Sequence, residues 1–245
     1  MINLEKNEQI EDLQLNGLKI IQDKTKYNFT SDSALLANFV SAKKTDNVLE
    51  IGTGCGVVSI LINEKCSPKK ITAFEIQKEM FDLAQKNVQL NCLQEKIEIF
   101  NAPIQEYKKF VDGDSFDVVV SNPPYMKVDK DTLLKSNEIQ AKCRHEINLT
   151  LEELVQCASK LLKFGGKFFV VYRAERLSDL FVELKKNNLE PKRMFFVAPS
   201  ESSKPKLFLL EARKGAKSGI EILPTLITND SAGNYLFTIQ KLYKK

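Results

Sequence analysis

Two short stretches combine residue types whose spacing could do chemistry. In the first, Glu50-Ile51-Gly52-Thr53-Gly54-Cys55-Gly56, three glycines stand at alternate positions just after an apolar run. Without side chains, glycines let the backbone turn sharply and approach a ligand closely. A helix opening after such a turn offers unpaired N–H groups and the positive end of its dipole, which suits a carboxylate, a ribose or a phosphate. The spacing is neither the G-x-G-x-x-G of dinucleotide sites nor a P-loop, since no Gly-Lys-Ser/Thr follows. Alone, the turn reads equally well as a plain strand-to-helix connection. Glu75 narrows it: 21 residues after Gly54, at the end of the next apolar run, its carboxylate can accept two hydrogen bonds from ribose hydroxyls. Together the two features point to an adenosine-containing cofactor.

The second stretch is Asn122-Pro123-Pro124-Tyr125, directly after Phe116-Asp117-Val118-Val119-Val120-Ser121. Asn-Pro by itself is an ordinary turn signal. Here it follows the fourth strand of a sheet whose first strand carries the glycine loop. Ligands of open α/β sheets bind outside the carboxyl ends of the strands, so both stretches would line one crevice. An aromatic or amide NH2 is a poor nucleophile because its lone pair is delocalised. Two acceptors on its hydrogens, the Asn122 side-chain oxygen and the Pro123 carbonyl, favour a tetrahedral nitrogen and localise that pair. Pro124 stiffens the turn. Tyr125 can stack on a planar target, worth roughly 1–3 kcal/mol for a base. A methyl group carried on a sulfonium cofactor is already activated. Alignment then becomes the main contribution, on the order of 7–11 kcal/mol.

The elements that must position these residues alternate along the chain. Strands are predicted at Val48–Ile51, Ile71–Phe74, Ile97–Phe100, Phe116–Val120, Phe168–Tyr172, Met194–Val197 and Leu207–Leu210. Helices are predicted at Val57–Glu64, Lys78–Asn91, Leu151–Leu162 (stopped by Gly165-Gly166) and Leu177–Asn187. Such alternation argues for an α/β fold, a mostly parallel sheet with helices on both faces. Ahead of it, Leu13 to Ile20 reads as a β-hairpin with leucines alternating on its first arm and Asn16-Gly17 in a type I′ turn. Thr30-Ser31-Asp32-Ser33 is an N-cap cluster opening a helix with Leu35, Leu36, Phe39 and Val40 at helical spacing. Met126 to Thr150 is a long polar connection of the kind that is usually functional or mobile. No linker divides the 245 residues, so one domain is expected, with residues 1–30 as a hairpin elaboration of a core at 31–245.

Composition bounds the partners. No apolar run approaches the roughly 18 residues of a membrane helix, and neither leader nor anchor is read, so the expected location is cytoplasmic and no membrane partner is expected. Five cysteines without a C-x-x-C pair, and the single His145, form no metal-ligand pattern. The net charge of +4 is uneven: residues 1–155 hold 19 Lys/Arg and 24 Asp/Glu, whereas residues 156–245 hold 17 and 8. A basic C-terminal surface of that kind suits a polyanion. Lys204, Lys206, Arg213, Lys214 and Lys217 are its candidates.

The glycine loop, Glu75 and the Asn-Pro-Pro-Tyr tetrad resemble the seven-stranded, Rossmann-like class I methyltransferases that act on exocyclic amines. Three further groups of segments resemble the bacterial tRNA (adenine-N6) methyltransferases in particular. They are Leu15 to Gln22, Tyr27-Asn28-Phe29-Thr30-Ser31-Asp32-Ser33-Ala34-Leu35-Leu36, and, later, Arg144-His145-Glu146, Gly165 to Phe168 and Val171-Tyr172-Arg173. That resemblance, over about residues 10–240, implies S-adenosylmethionine as cofactor and adenine 37, beside the anticodon of a valine tRNA, as target. It implies that Glu50 and Gly52 to Gly56, with Thr53 and Cys55 between, hold the methionine part, that Glu75 takes the ribose, and that Ile76, Ala102 and Pro103 border the adenine. Relatives often carry Asp or Asn where Ala102 stands, so Asn101 is the candidate for the adenine amine. Thr30 to Asp32 would close over the cofactor or simply cap their helix, and Asn122 would touch both cofactor and target. Arg144 would meet an RNA phosphate or pair with Glu146. A monomer or weak dimer is expected. The rival readings are a glutamine N5-methyltransferase acting on a release factor, a ribosomal-RNA or DNA amino-methyltransferase, and a non-catalytic RNA-binding protein that keeps a cofactor pocket.

Overall fold

Runs rich in β-branched and aromatic residues, such as Lys70-Ile71-Thr72-Ala73-Phe74 and Phe116-Asp117-Val118-Val119-Val120-Ser121, form strands because such side chains pack well on a pleated surface. The computed structural model describes residues 4–13, 15–23, 31–123, 149–230, 233–234 and 236. A hairpin comes first, β1 (Glu8–Asp12) and β2 (Lys19–Asp23). Then follow α1 (Ser31–Phe39), β3 (Asn47–Ile51), α2 (Val57–Cys66), β4 (Lys70–Phe74), α3 (Lys78–Leu90), β5 (Ile97–Phe100) and β6 (Phe116–Ser121). The second half contains α4 (Leu151–Leu161), β7 (Leu162–Arg173), α5 (Leu177–Lys186), β8 (Leu189–Ala198) and β9 (Leu207–Lys214). Two two-residue strands, β10 (Glu221–Ile222) and β11 (Leu226–Ile227), both pair with β8.

The long strands lie in the order β5-β4-β3-β6-β7-β9-β8. All pairings from β5 to β7 are parallel, and only β9 runs against its neighbours. This is the expected seven-stranded, mostly parallel sheet, widened by β10 and β11. Leaving β3, the chain builds β4 and β5 on one side and then crosses back to β6 on the other. The direction of winding therefore reverses between β3 and β6, and a reversal of that kind opens a crevice at the carboxyl ends of the two strands.

Side chains alternate between two apolar layers. Val48, Val118, Val120, Phe169 and Val171 face the layer of α1, α2, α3 and the hairpin. Leu49, Ile51, Val119, Phe168, Val170 and Tyr172 face the layer of α4 and α5. Because both faces are covered, the central strands carry apolar residues on both sides, as at Val48-Leu49 and Val118-Val119-Val120. Among the described residues no helix is long and apolar enough to cross a membrane.

The hairpin turn carries the expected chemistry: Asn16 (φ 49) and Gly17 (φ 77) are both left-handed, and the Leu18 N–H donates to the Leu15 carbonyl at 2.9 Å. Its arms lie further out than the leucine spacing predicts. Leu13, Leu15 and Leu18 are drawn into the core, so the ladder ends at Asp12 and Lys19. Asn87 of α3 and Asn91, at the C-terminal cap of that helix, then bind the open edge of β2. Asn87 accepts from the Ile21 N–H (2.6 Å) and donates to the Ile21 carbonyl (3.1 Å), and Asn91 does the same for Lys19 at 2.9 and 2.7 Å. Spacing by four on a helix matches spacing by two on a strand, so the helix imitates a neighbouring strand. Asn87, fully buried, also donates to the Cys55 carbonyl of the glycine loop at 2.9 Å. Asn87→Leu strands these three backbone groups away from water and is expected to cost about 3–5 kcal/mol in urea denaturation; a loss below about 1 kcal/mol would contradict this role.

Gly165-Gly166 does not stop a helix. α4 ends at Leu161 and β7 begins at once, and the glycines form a bulge in which pairing with β6 jumps from Phe116–Leu162 to Val118–Lys167. Gly165 has φ 78, and a Cβ on Gly166 would lie 2.9 Å from the Lys163 carbonyl oxygen, so neither position readily takes a side chain. The strand predicted at Met194–Val197 is likewise longer, beginning at Leu189, with the register slip at Pro191, which has no N–H to give the ladder.

Candidate active site

β3 and β6 end side by side. Ile51 pairs with Ser121, and the Ser121 hydroxyl donates to the Ile51 carbonyl at 2.8 Å. Gly52 and Asn122 therefore step off neighbouring strands, which lie about 4.8 Å apart in a sheet.

All three loop glycines have positive φ: Gly52 at 73, Gly54 at 57 and Gly56 at 85. An L-residue in that region costs roughly 1–2 kcal/mol. At Gly56 a Cβ would also press on Ala84 of α3 at 3.4 Å. The loop is tied down from within. The Gly52 and Thr53 N–H groups donate to the Phe74 carbonyl at 2.9 and 3.1 Å, and the Gly56 N–H donates to the Thr53 carbonyl at 2.9 Å. The Cys55 thiol is buried and pushed up to about 12 by that burial, so it stays protonated.

Glu50 lies beneath the loop, 1% exposed. One carboxylate oxygen accepts from the Thr53 hydroxyl at 2.7 Å and from the Ser59 hydroxyl of α2. It thus fastens the loop to the start of α2. Burial pushes its pKa up to about 7 against the lowering effect of those bonds. Between about pH 4.5 and 7 the folded chain therefore holds a proton that the unfolded chain has released, and this group's contribution to stability falls as pH rises through that window. At 1.36 kcal/mol per pKa unit the loss is on the order of 3 kcal/mol. Glu50→Gln removes the titration. Urea denaturation should find the variant's stability relative to the native chain better by about 2–3 kcal/mol at pH 8 than at pH 5, and equal differences at both pH values would contradict the assignment.

Glu75, 5% exposed, directly follows β4. One carboxylate oxygen accepts from the Gly54 N–H at 2.8 Å and the other from the Gln77 N–H at 2.9 Å. Acid and glycine loop, spaced 21 residues apart in sequence, are thus bonded to each other. Burial holds the carboxyl above the usual range despite these bonds. Asn101, after β5, donates its amide to the Glu75 and Ile76 carbonyls at 2.9 and 3.3 Å. That turns its Oδ1 away from those carbonyls. Beside it Ile76 is exposed, Ala102 is buried, and Pro103 opens the 3-10 turn Ile104–Lys109. A paired carboxylate, an apolar ledge and an amide oxygen at neighbouring strand ends fit the hydroxyls, the ring and the amine of an adenosine.

Asn122 is half-buried and Pro123 buried. The Asn122 amide nitrogen donates to the hydroxyl of Ser33, on the first turn of α1, at 3.0 Å. Asp32 lies on the same turn. Thr30, Pro124, Tyr125 and Arg144, and nearly all of the long polar connection, lie outside the described residues.

The basic candidates divide between the two edges of the sheet. Lys204 and Lys206 are exposed in the β8–β9 connection, which lies at the carboxyl edge: the Lys206 N–H donates to the Val197 carbonyl, and its own carbonyl accepts from the Ala174 N–H just past β7. Arg213, Lys214 and Lys217 lie at the opposite edge, because β9 runs antiparallel to its neighbours. Lys214 pairs with Asp114 and with the Ser159 and Leu162 carbonyls at the end of α4, and Arg213 pairs with Glu211. These three are a correction: they stand away from the crevice, and two of them neutralise local charge. No cluster of three or more metal-ligating side chains occurs among the described residues. Sequence reasoning missed Ser33, Ser59 and Gln77. It also missed the capping box of Thr150 and Glu153 that starts α4, which its Thr-x-x-Glu spacing does announce.

Strand order, winding reversal and the two loops at that reversal define a Rossmann-like α/β protein of the methyltransferase arrangement. The methyltransferase small domain model matches residues 25–187, and the chain belongs to that family. It is 28% identical over 204 residues to a Shewanella woodyi protein named tRNA1(Val) (adenine(37)-N6)-methyltransferase, covering 82% of each chain. It is also 28% identical over 198 residues to a Bacteroides thetaiotaomicron protein of the same name, covering 80% of this chain and 81% of that one. Among solved structures, an Agrobacterium tumefaciens protein described as a predicted O-methyltransferase shares the fold with a TM-score of 0.69 at 17% identity, over 86% of this chain and 95% of that one.

Proposed function

We propose that this protein transfers a methyl group from S-adenosylmethionine to N6 of an adenine in tRNA, the adenine at position 37 of a valine tRNA. The observation that carries the reading is the placement of Asn122 beside the glycine loop, at the point where the winding of the sheet reverses. The names of relatives that align along four-fifths of the chain support the substrate.

When bound, the cofactor supplies a methyl group already activated on a sulfonium. Glu75 would hold the ribose hydroxyls, and Ile76, Ala102 and Asn101 would border the adenine. Gly52 to Gly56 would follow the methionine part, with Glu50 holding the loop's shape from below. Asn122 Oδ1 and the Pro123 carbonyl accept the two hydrogens of the target amine, turning its lone pair toward the methyl group. Tyr125 stacks on the target base, which must leave its own stack to enter. Arg144, Lys204 and Lys206 meet RNA phosphates. The work belongs in the cytoplasm, where tRNA is used.

Incubation with isotopically labelled S-adenosylmethionine and separate tRNA, ribosomal-RNA and protein fractions tests the reading. Label is expected in tRNA, as N6-methyladenosine by mass spectrometry. Label confined to protein would overturn it in favour of glutamine methylation.

A further inference from the structure

We infer that Ser33 is a positioning residue for methyl transfer: it anchors the Asn122 amide by its nitrogen and so holds the side chain where the reacting amine is to bind. The inference rests on the proposed function and goes beyond it, because α1 then takes part in the chemistry rather than only covering the sheet.

A primary amide has an acceptor on one side and two donors on the other. An amine target needs the acceptor; the reversed amide would present N–H groups to the amine hydrogens and repel them. Ser33 anchors this side chain: its hydroxyl oxygen lies 3.0 Å from the Asn122 nitrogen and accepts from it, so Oδ1 stands on the opposite side of the amide. Ser33 itself is 4% exposed on a helix whose next four residues, Ala34, Leu35, Leu36 and Ala37, are all buried. The hydroxyl therefore sits on a rigid support. α1 packs against α2, which begins directly after the glycine loop, so the same support carries both halves of the crevice.

The experiment measures kcat, cofactor Kd and melting temperature for Ser33→Ala, Ser33→Thr, Asn122→Ala and the Ser33→Ala/Asn122→Ala pair. One lost neutral hydrogen bond corresponds to about a tenfold fall in kcat for Ser33→Ala. Cofactor Kd and melting temperature are expected to stay at their native values. Threonine keeps the hydroxyl and should restore kcat to within about threefold. In the Asn122→Ala background the Ser33 substitution should add nothing, since there is no amide left to orient. Native kcat in Ser33→Ala, or the same loss repeated on top of Asn122→Ala, overturns the inference while leaving the proposed function standing. Methyl transfer by the native chain to a group other than an amine overturns both.

Discussion

Asn122→Ala is expected to lower kcat for methyl transfer by about 10³-fold while leaving cofactor affinity within about threefold of native. In the proposed mechanism the amide supplies one of the two acceptors that localise the nucleophile's lone pair, and its contribution grows as the nitrogen becomes tetrahedral. Removing one such group from a preorganised site typically costs 10²–10³-fold, and loss of alignment adds to this. Cofactor binding is spared because the loop is held by other groups: the Phe74 carbonyl, the Glu50 carboxylate and the Glu75 carboxylate. Single-turnover kinetics with saturating cofactor, paired with calorimetric titration of S-adenosylhomocysteine, separate the two effects. A variant that keeps native kcat would remove Asn122 from the mechanism.

Glu75→Ala acts on the other quantity. Two hydrogen bonds from ribose hydroxyls to a carboxylate are each worth about 1.5–3 kcal/mol, so the cofactor Kd should rise by at least about 10²-fold. Glu75→Gln is expected to be nearly as damaging, which is unusual for so small a change. Both carboxylate oxygens already accept backbone N–H groups, from Gly54 and Gln77. An amide would have to point its NH2 at one of these donors. Because burial raises the Glu75 pKa, affinity should also begin to fall on acidification at a higher pH than an ordinary glutamate would give. Native affinity in the Gln variant, read by calorimetry, would show that the carboxylate is not the ribose anchor.

The parts of the fold visible in sequence were those encoded locally. The apolar runs ending at Ile51, Phe74 and Ser121, the left-handed glycines and the Asn16-Gly17 turn each carry their signal within a few residues. Signals shared by two structures were misread: Gly165-Gly166 serves a strand bulge as readily as a helix end. Direction was invisible. Nothing in Leu207 to Lys214 says that the strand runs antiparallel, and that alone sends Arg213 and Lys214 to the far edge and leaves Lys204 and Lys206 at the carboxyl edge. Buried polar side chains were the hardest. Asn87 looks like a residue of the wet face of a helix until Ile21, 66 positions earlier, is brought against it. Ser33 has no meaning before Asn122, 89 positions later, reaches it. The proposed catalytic tetrad was legible as a motif, whereas the contact between Asn122 and Ser33 is made only by the folded chain.

We propose that the crevice between β3 and β6 methylates the exocyclic amine of one adenine. The decisive experiment incubates the native chain and S-adenosylmethionine with two unmodified valine tRNA transcripts, one of which carries guanine in place of the adenine beside the anticodon. Nucleosides are then identified by mass spectrometry. N6-methyladenosine from the first transcript, none from the second, and none from either with Asn122→Ala is the expected result. Methyl groups in both transcripts, or in neither while a protein glutamine is labelled, would contradict it.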